Sequence, residues 1–123
     1  MSIPNTFCWV DIPVLDLDRA VKFYTAILDK PVEKLTEGGF EFGLFPHDDE
    51  NVSGCLIKSD NRKPSADGPM VYLNVIGRLD EAVNLVEEND GVVISANESL
   101  GPHGVRAVIK DTEGNVIALY STN

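Results

Sequence analysis

Apolar positions along the chain follow two periods, and the switches between them mark out the elements. Phe7–Ile12 alternates as a strand, with Phe7, Trp9 and Asp11 on one face and Cys8, Val10 and Ile12 on the other. Ala20, Phe23, Tyr24, Ile27 and Leu28 keep the i, i+3, i+4, i+7, i+8 spacing of a helix with one buried stripe. Asp16 or Asp18 is placed to cap its start, and Asp29-Lys30-Pro31 stops it. Residues 32–35 and 40–45 predict two strands around a turn at Glu37-Gly38-Gly39, and 53–58 a third behind the acidic turn 47–51. Residues 59–68 have no apolar period and read as a linker. Beyond it, Met70, Tyr72 and Asn74 alternate with Val71, Leu73 and Val75. A helix with Leu79, Ala82, Val83 and Val86 inward follows, ending at Asn89-Asp90-Gly91. Strands are predicted over 92–96, 105–110 and 116–121, with a loop at 97–104 and a tight turn at Asp111-Thr112-Glu113-Gly114-Asn115.

The second half repeats the first. A shift of 62 positions sets Leu17-Asp18-Arg19-Ala20-Val21 on Leu79-Asp80-Glu81-Ala82-Val83, Asp49 on Asp111 and Leu56 on Ala118. Each copy reads strand, helix, three strands. The fold class is therefore α+β: two tandem βαβββ modules in one domain over 1–123, with module one at about 5–58, the linker at 59–68 and module two at about 69–122. One helix covers one face of a four-stranded sheet, so the other faces are expected to wall a shared groove.

Composition narrows the function. A formal charge of −10 argues against nucleic acid and anionic membranes as partners, since both are held by Lys/Arg patches. It suits a cationic ligand, or simple solubility. No apolar run reaches membrane-spanning length, and the first residues have neither the basic nor the apolar region of a signal peptide. Cys8 and Cys55 lack metal-type spacing and read as buried, reduced thiols, so a cytoplasmic protein is expected.

The stretch Asp16-Leu17-Asp18-Arg19-Ala20-Val21-Lys22-Phe23-Tyr24, with Asp111-Thr112-Glu113-Gly114-Asn115-Val116-Ile117, resembles the vicinal oxygen chelate superfamily. That group holds glyoxalase I, extradiol dioxygenases, fosfomycin-resistance enzymes and bleomycin-resistance binding proteins. The resemblance runs from about Phe7 to Ser121. Phe7–Val14 and Val71–Val75 look most like a bacterial subset labelled glyoxalase/bleomycin-resistance-like. It implies sheets curled around a cleft, pairing of two chains into a homodimer, and, in the metalloenzymes, two ligands per module on its first and last strands. Carried onto this chain, those positions are Trp9, Leu56, Met70 and Ala118. None suits a divalent cation, which needs imidazole, carboxylate or thiolate donors. The neighbouring thiols Cys8 and Cys55 are expected on the helix side, so neither metal nor other cofactor is expected.

The candidate groove residues are Trp9, Asp11, Leu56, Met70, Tyr72, Ala118, Tyr120 and His103. Trp and Tyr give a ligand flat faces with polar tips, though the same residues also make plain core. Asp11 either accepts from a ligand amine or hydroxyl, or forms a structural ion pair, for example with Arg106. His103 reads as a loop base at the cleft mouth or as a solvated loop residue. His47 sits in the acidic turn, a loose cation catcher or a solvated turn. There is no Ser/His/Asp triad, activated Cys/His pair, phosphate loop or useful carboxylate pair, and no catalytic residue is assigned. The expected role is metal-free binding or sequestration of a small, partly aromatic or cationic molecule. The alternatives are a metal-independent lyase- or dioxygenase-like enzyme using Asp11, Tyr72 or His103, and an interaction module with a filled groove.

Overall fold

The structure, a computed structural model, describes residues 6–48 and 51–123. Asp49 and Glu50 of the acidic turn lie outside the described residues, and with them the Asp49–Asp111 correspondence. The first module runs β1 (Trp9–Pro13), α1 (Leu17–Leu28), β2 (Glu33–Glu37), β3 (Phe40–Leu44) and β4 (Ser53–Ile57). The second runs β5 (Tyr72–Asn74), α2 (Leu79–Glu88), β6 (Val92–Ser99), β7 (Val105–Lys110) and β8 (Val116–Ser121). The sheets have orders β1-β4-β3-β2 and β5-β8-β7-β6, each with its first and last strands parallel and the rest antiparallel. The two tandem modules and the α+β class are as the sequence predicts.

The helices form where the apolar stripes require. Asp16 caps α1 by accepting from the Arg19 amide, and Ala20, Phe23, Tyr24 and Ile27 are buried. In α2 the buried positions are Leu79, Ala82 and Val86. The two helices pack on each other. They share one core with the inward strand residues of both sheets, including Ile12, Leu56, Ile109, Ile117 and Leu119. Gly54 lets β4 lie close to β1, since a Cβ there would stand 2.3 Å from the Val10 carbonyl oxygen. β6 is longer than predicted. Glu98 pairs across to Arg106 and Ser99 to Val105 after irregular register, so residues 97–99 extend a strand where a loop was expected, and Gly101–His103 forms a 3-10 turn.

Strand register corrects the groove assignment. Asp11 pairs with Cys55 and Ile12 with Leu56, while Tyr72 pairs with Ala118. Residues opposite each other share a face. Leu56 therefore points to the helices, fully buried in the core, and does not line the groove. The groove-side counterpart of Ala118 is Cys55, which does not face the helices as the alternation around Leu56 suggested. The cause is a length difference: module two has two more residues between its paired first and last strands than module one, so a constant shift of 62 slips one residue at β4. Cys8 differs too, being exposed rather than buried, because β1 begins only at Trp9.

Candidate functional site

β1 and β5 are edge strands of the two sheets, and residues of β1 and of the chain around β5 line shared cavities along the seam between the modules. Two cavities open along this seam, and Val10, Ile12 and Val71 line both. The larger, about 900 Å³, lies between Ser53–Gly54 and Tyr72–Ile76 and reaches His47, Asp48 and Arg78. The smaller, about 520 Å³, lies between Asp11–Pro13 and Pro69–Val71 under the segment 59–68. Its size is in the range of small-molecule pockets.

On the face away from the helices, Trp9, Asp11 and Cys55 form a cluster. Trp9 Nε1 donates to Asp11 Oδ1 at 3.0 Å, and Cys55 Sγ donates to the same oxygen at 3.4 Å. Burial, and next the hydrogen bond to Asp11, push the Cys55 thiol up to about 11, so it stays protonated and is a poor nucleophile. Asp11 makes no ion pair with Arg106. That guanidinium pairs with Glu98 at 2.9 Å and donates to the Tyr72 hydroxyl at 2.5 Å. Its charge also lies 5.7 Å from the Tyr72 ring centre. The bond to Glu98 comes first in raising the Arg106 pKa, and Arg106 in turn lowers that of Glu98.

The predicted site residues are thus distributed unequally. Trp9, Asp11, Tyr72, Ala118 and Tyr120 all lie on sheet faces turned from the helices. Trp9 and Tyr72 are half-exposed, at 45% and 46%. Only Asp11 and Tyr72 line a cavity, Asp11 the smaller and Tyr72 the larger, on opposite sides of the seam. Ala118 is covered between its cross-strand partners Tyr72 and Val108. Met70 is exposed just ahead of β5. Tyr120 donates to the His103 backbone carbonyl at 2.5 Å, which ties its ring to that loop, and the exposed His103 lines neither cavity. His47 stands beside the Phe45 carbonyl at 3.2 Å on the rim of the larger cavity. Sequence reasoning missed Cys55, Arg62 and Lys63. The first was recoverable by counting alternation from the β1–β4 pairing instead of from the turn.

The donor set does not fit the divalent metal that the vicinal oxygen chelate chemistry needs. Register replaces Leu56 by Cys55 among the expected ligand positions Trp9, Leu56, Met70 and Ala118, and opposite Cys55 and Ala118 stand Asp11 and Tyr72. The thiol is held protonated, the Tyr72 hydroxyl already accepts from a guanidinium, and Ala118 offers nothing. Among the described residues, no three His, Cys, Asp or Glu side chains gather as metal ligands would. Among the described residues no helix is long and apolar enough to cross a membrane.

Likeness to known proteins agrees with this architecture. No protein of curated function matches the sequence. Among solved structures, TnmS3, an antibiotic-binding protein from Streptomyces sp. CB03234, superposes with a TM-score of 0.74 at 19% identity, over 100% of this chain and 99% of that one. A glyoxalase-related enzyme from Fulvimarina pelagi gives 0.72 at 9% identity, over 97% and 89%. A hypothetical protein from S. aureus gives 0.70 at 18%, over 96% and 95%. At such identities the likeness is one of fold. The sequence profile of one family matches residues 6–119, and the chain belongs to that family, the Glyoxalase/Bleomycin resistance protein/Dioxygenase superfamily.

Proposed function

We propose that this protein binds a small, partly aromatic or cationic organic molecule at the seam between its modules, without a metal, and sequesters it. The carrying observation is Asp11: a carboxylate on an open sheet face beside Trp9, held by two neutral donors and by no cation among the described residues. A cation resting there gains charge and an aromatic face together. The two open cavities favour this reading over a groove filled by its own side chains. The antibiotic-binding relative supports ligand binding on this fold, although its identity to this chain supports no particular ligand.

Isothermal titration with arylmethylammonium compounds and their neutral carbinol analogues tests it. Trp9→Ala is expected to weaken binding of the cations by about 2 kcal/mol, the usual effect of truncating an aromatic anchor that the ligand covers. Asp11→Asn is expected to weaken the cations and spare the neutral analogues. Equal loss for both, or no binding by any compound, would sink the reading. The same proposal takes the working form as a homodimer, supported by the exposed Phe40, Val92 and Ile94 near outer strands that need cover. A monomer mass by light scattering at micromolar concentration would set that part aside.

A further inference from the structure

The segment between the modules, read from its sequence as a linker, is a pinned strap. The Ser65 amide donates to Asn115 Oδ1 at 3.1 Å, and the Val116 amide reaches the Ser65 carbonyl at 3.4 Å. Asn115 is itself buried and fixed, its Nδ2 donating to the Pro13 carbonyl at 2.8 Å and to Asp111 Oδ2 at 3.1 Å. The strap is thereby held against β1 and β8, over the smaller cavity, and it carries Arg62 and Lys63 into that cavity's wall. Asp11 stands in the same wall.

The charges there are unusual for this chain. Acidic side chains outnumber basic ones by 20 to 10 over the whole sequence, yet the charged lining of this cavity is two cations and one carboxylate. Arg19, Lys34, Arg78 and Arg106 are in ion pairs, whereas Arg62, Lys63 and Asp11 are in none among the described residues. Solubility alone does not call for two cations in the wall of one cavity in an acidic protein. Between the charges the walls are apolar: Val10, Ile12, Ile57, Val71 and Val116. A pocket with unpaired charges of both signs and an apolar middle matches a molecule with the same layout.

We infer that the ligand of the seam is amphoteric: an ammonium group set against Asp11, a carboxylate or similar anion set against Arg62 and Lys63, and an apolar body between them in the 520 Å³ cavity. This rests on the proposed binding of cations at Asp11 and adds the anionic end. It gives the strap a role in ligand selection. A ligand with only one charge leaves one side of the pocket without its partner, and a neutral one leaves both.

Three probes with one body test it by titration calorimetry on the full chain: 4-(aminomethyl)biphenyl, biphenyl-4-carboxylate, and 4′-(aminomethyl)biphenyl-4-carboxylate. The amphoteric probe is expected to bind at least tenfold tighter than either singly charged one. Arg62→Gln with Lys63→Gln, both at exposed positions, is expected to bring it down to the amine's affinity. Asp11→Asn is expected to bring it down to the carboxylate's. If the amine binds in a Trp9-dependent way and the added carboxylate gains nothing, the cation reading stands and the amphoteric one falls. If the double variant leaves the ratio of amphoteric probe to amine unchanged, the strap is overturned as the anion site. If no probe binds, both readings fall. An amphoteric preference that survives Trp9→Ala upholds this inference and moves the cation site away from Trp9.

Discussion

The turns that precede β4 and β8 occupy equivalent places in the two modules, yet they meet the opposite module differently. The turn 111–115 reaches across and takes hold of the start of α1. Glu113 Oε1 accepts from the Leu15 and Asp16 amides, both at 2.8 Å, and its carboxylate forms a two-point pair with Arg19 at 2.7 and 3.0 Å. Asp111 accepts from three amides of its own turn and from the Tyr24 hydroxyl. The described residues of the turn 47–51 close on themselves instead, Asn51 bonding back to Asp48. The start of α2 is served within its own module: the Ile76 amide by Asn74 and the Gly77 amide by Ser121. Here, among the described residues, the tie between modules is one bond from Arg78 Nη1 to the Ile27 carbonyl, and the larger cavity opens beside it. Cohesion is thus concentrated at one end of the seam, where the smaller cavity has a fixed wall, and the other end is left open.

The strongest way to break this asymmetry is at Glu113, whose side chain has no exposed surface. Glu113→Ala strips the start of α1 of an acceptor for two amides and leaves Arg19 unpaired. It is expected to cost about 2–3 kcal/mol by urea unfolding, below the upper range for buried pairs because Arg19 is half-exposed. The same carboxyl predicts an acid response. Burial alone would raise its pKa, but the bonds from Arg19, Thr112 and the Asp16 and Leu15 amides outweigh burial and hold it down at about 2, against 4.5 unperturbed. A pKa lower in the folded state gives stability that is whole above pH 4.5 and is lost as pH falls toward 2. Glu113→Gln should flatten that part of the stability profile; an unchanged slope between pH 4.5 and 2 would exclude Glu113 as its source.

A smaller effect is expected at Tyr24, whose hydroxyl donates to Asp111 Oδ2 at 2.5 Å inside the core. Burial first, and then the neighbouring Asp111, keep this phenol protonated far above its usual range. Tyr24→Phe keeps the ring and its edge-on contacts with Phe23 and Phe45 but removes the donor. Asp111 retains four other bonds, so the cost should be about 1.5 kcal/mol, typical of a hydrogen bond to a charged group. A loss near that of Glu113→Ala would mean that Asp111, not Glu113, dominates the tied end.

What the sequence made legible follows from range. Period and caps are local, so both helices, the strap's position and seven of the eight strands lay close to where the apolar pattern put them, and Asp16 caps α1 as expected. β6 ran long because its continuation depends on a partner strand, through Glu98 and Arg106. The open faces followed from alternation for Trp9, Asp11, Tyr72, Ala118 and Tyr120. They failed for Leu56, because the repeat was aligned on its turn at a shift of 62, one residue off the register of β4, and a one-residue slip reverses the face of a strand. Asp11 was legible as a carboxylate on an open face, but its partner was not: Arg106 was closer to Glu98 in register than any reading of composition could tell. The strap was legible only as a gap in the pattern, since what pins it is Ser65 meeting Asn115 fifty positions away.

The least effect is expected at the loose end, and it sharpens the contrast. Arg78 spends one nitrogen on the Ile27 carbonyl, at 2.8 Å, while its buried Nε and Nη2 find no hydrogen-bond partner among the described residues. The nearest carboxylate, on exposed Glu81, stands 3.5 Å from Nη2, too loose a pair to offset much desolvation. Arg78→Met removes the one bond but also relieves two buried nitrogens that lack partners, and its thioether chain can fill much of the same space. Loss and relief oppose each other, so the net change should lie within about 1 kcal/mol of zero. Urea unfolding of this variant beside Glu113→Ala compares one cross-module tie with the other under the same conditions. A cost for Arg78→Met as large as that for Glu113→Ala would show the two ends of the seam to be equally bound, and the open cavity would then owe its shape to something other than a missing latch.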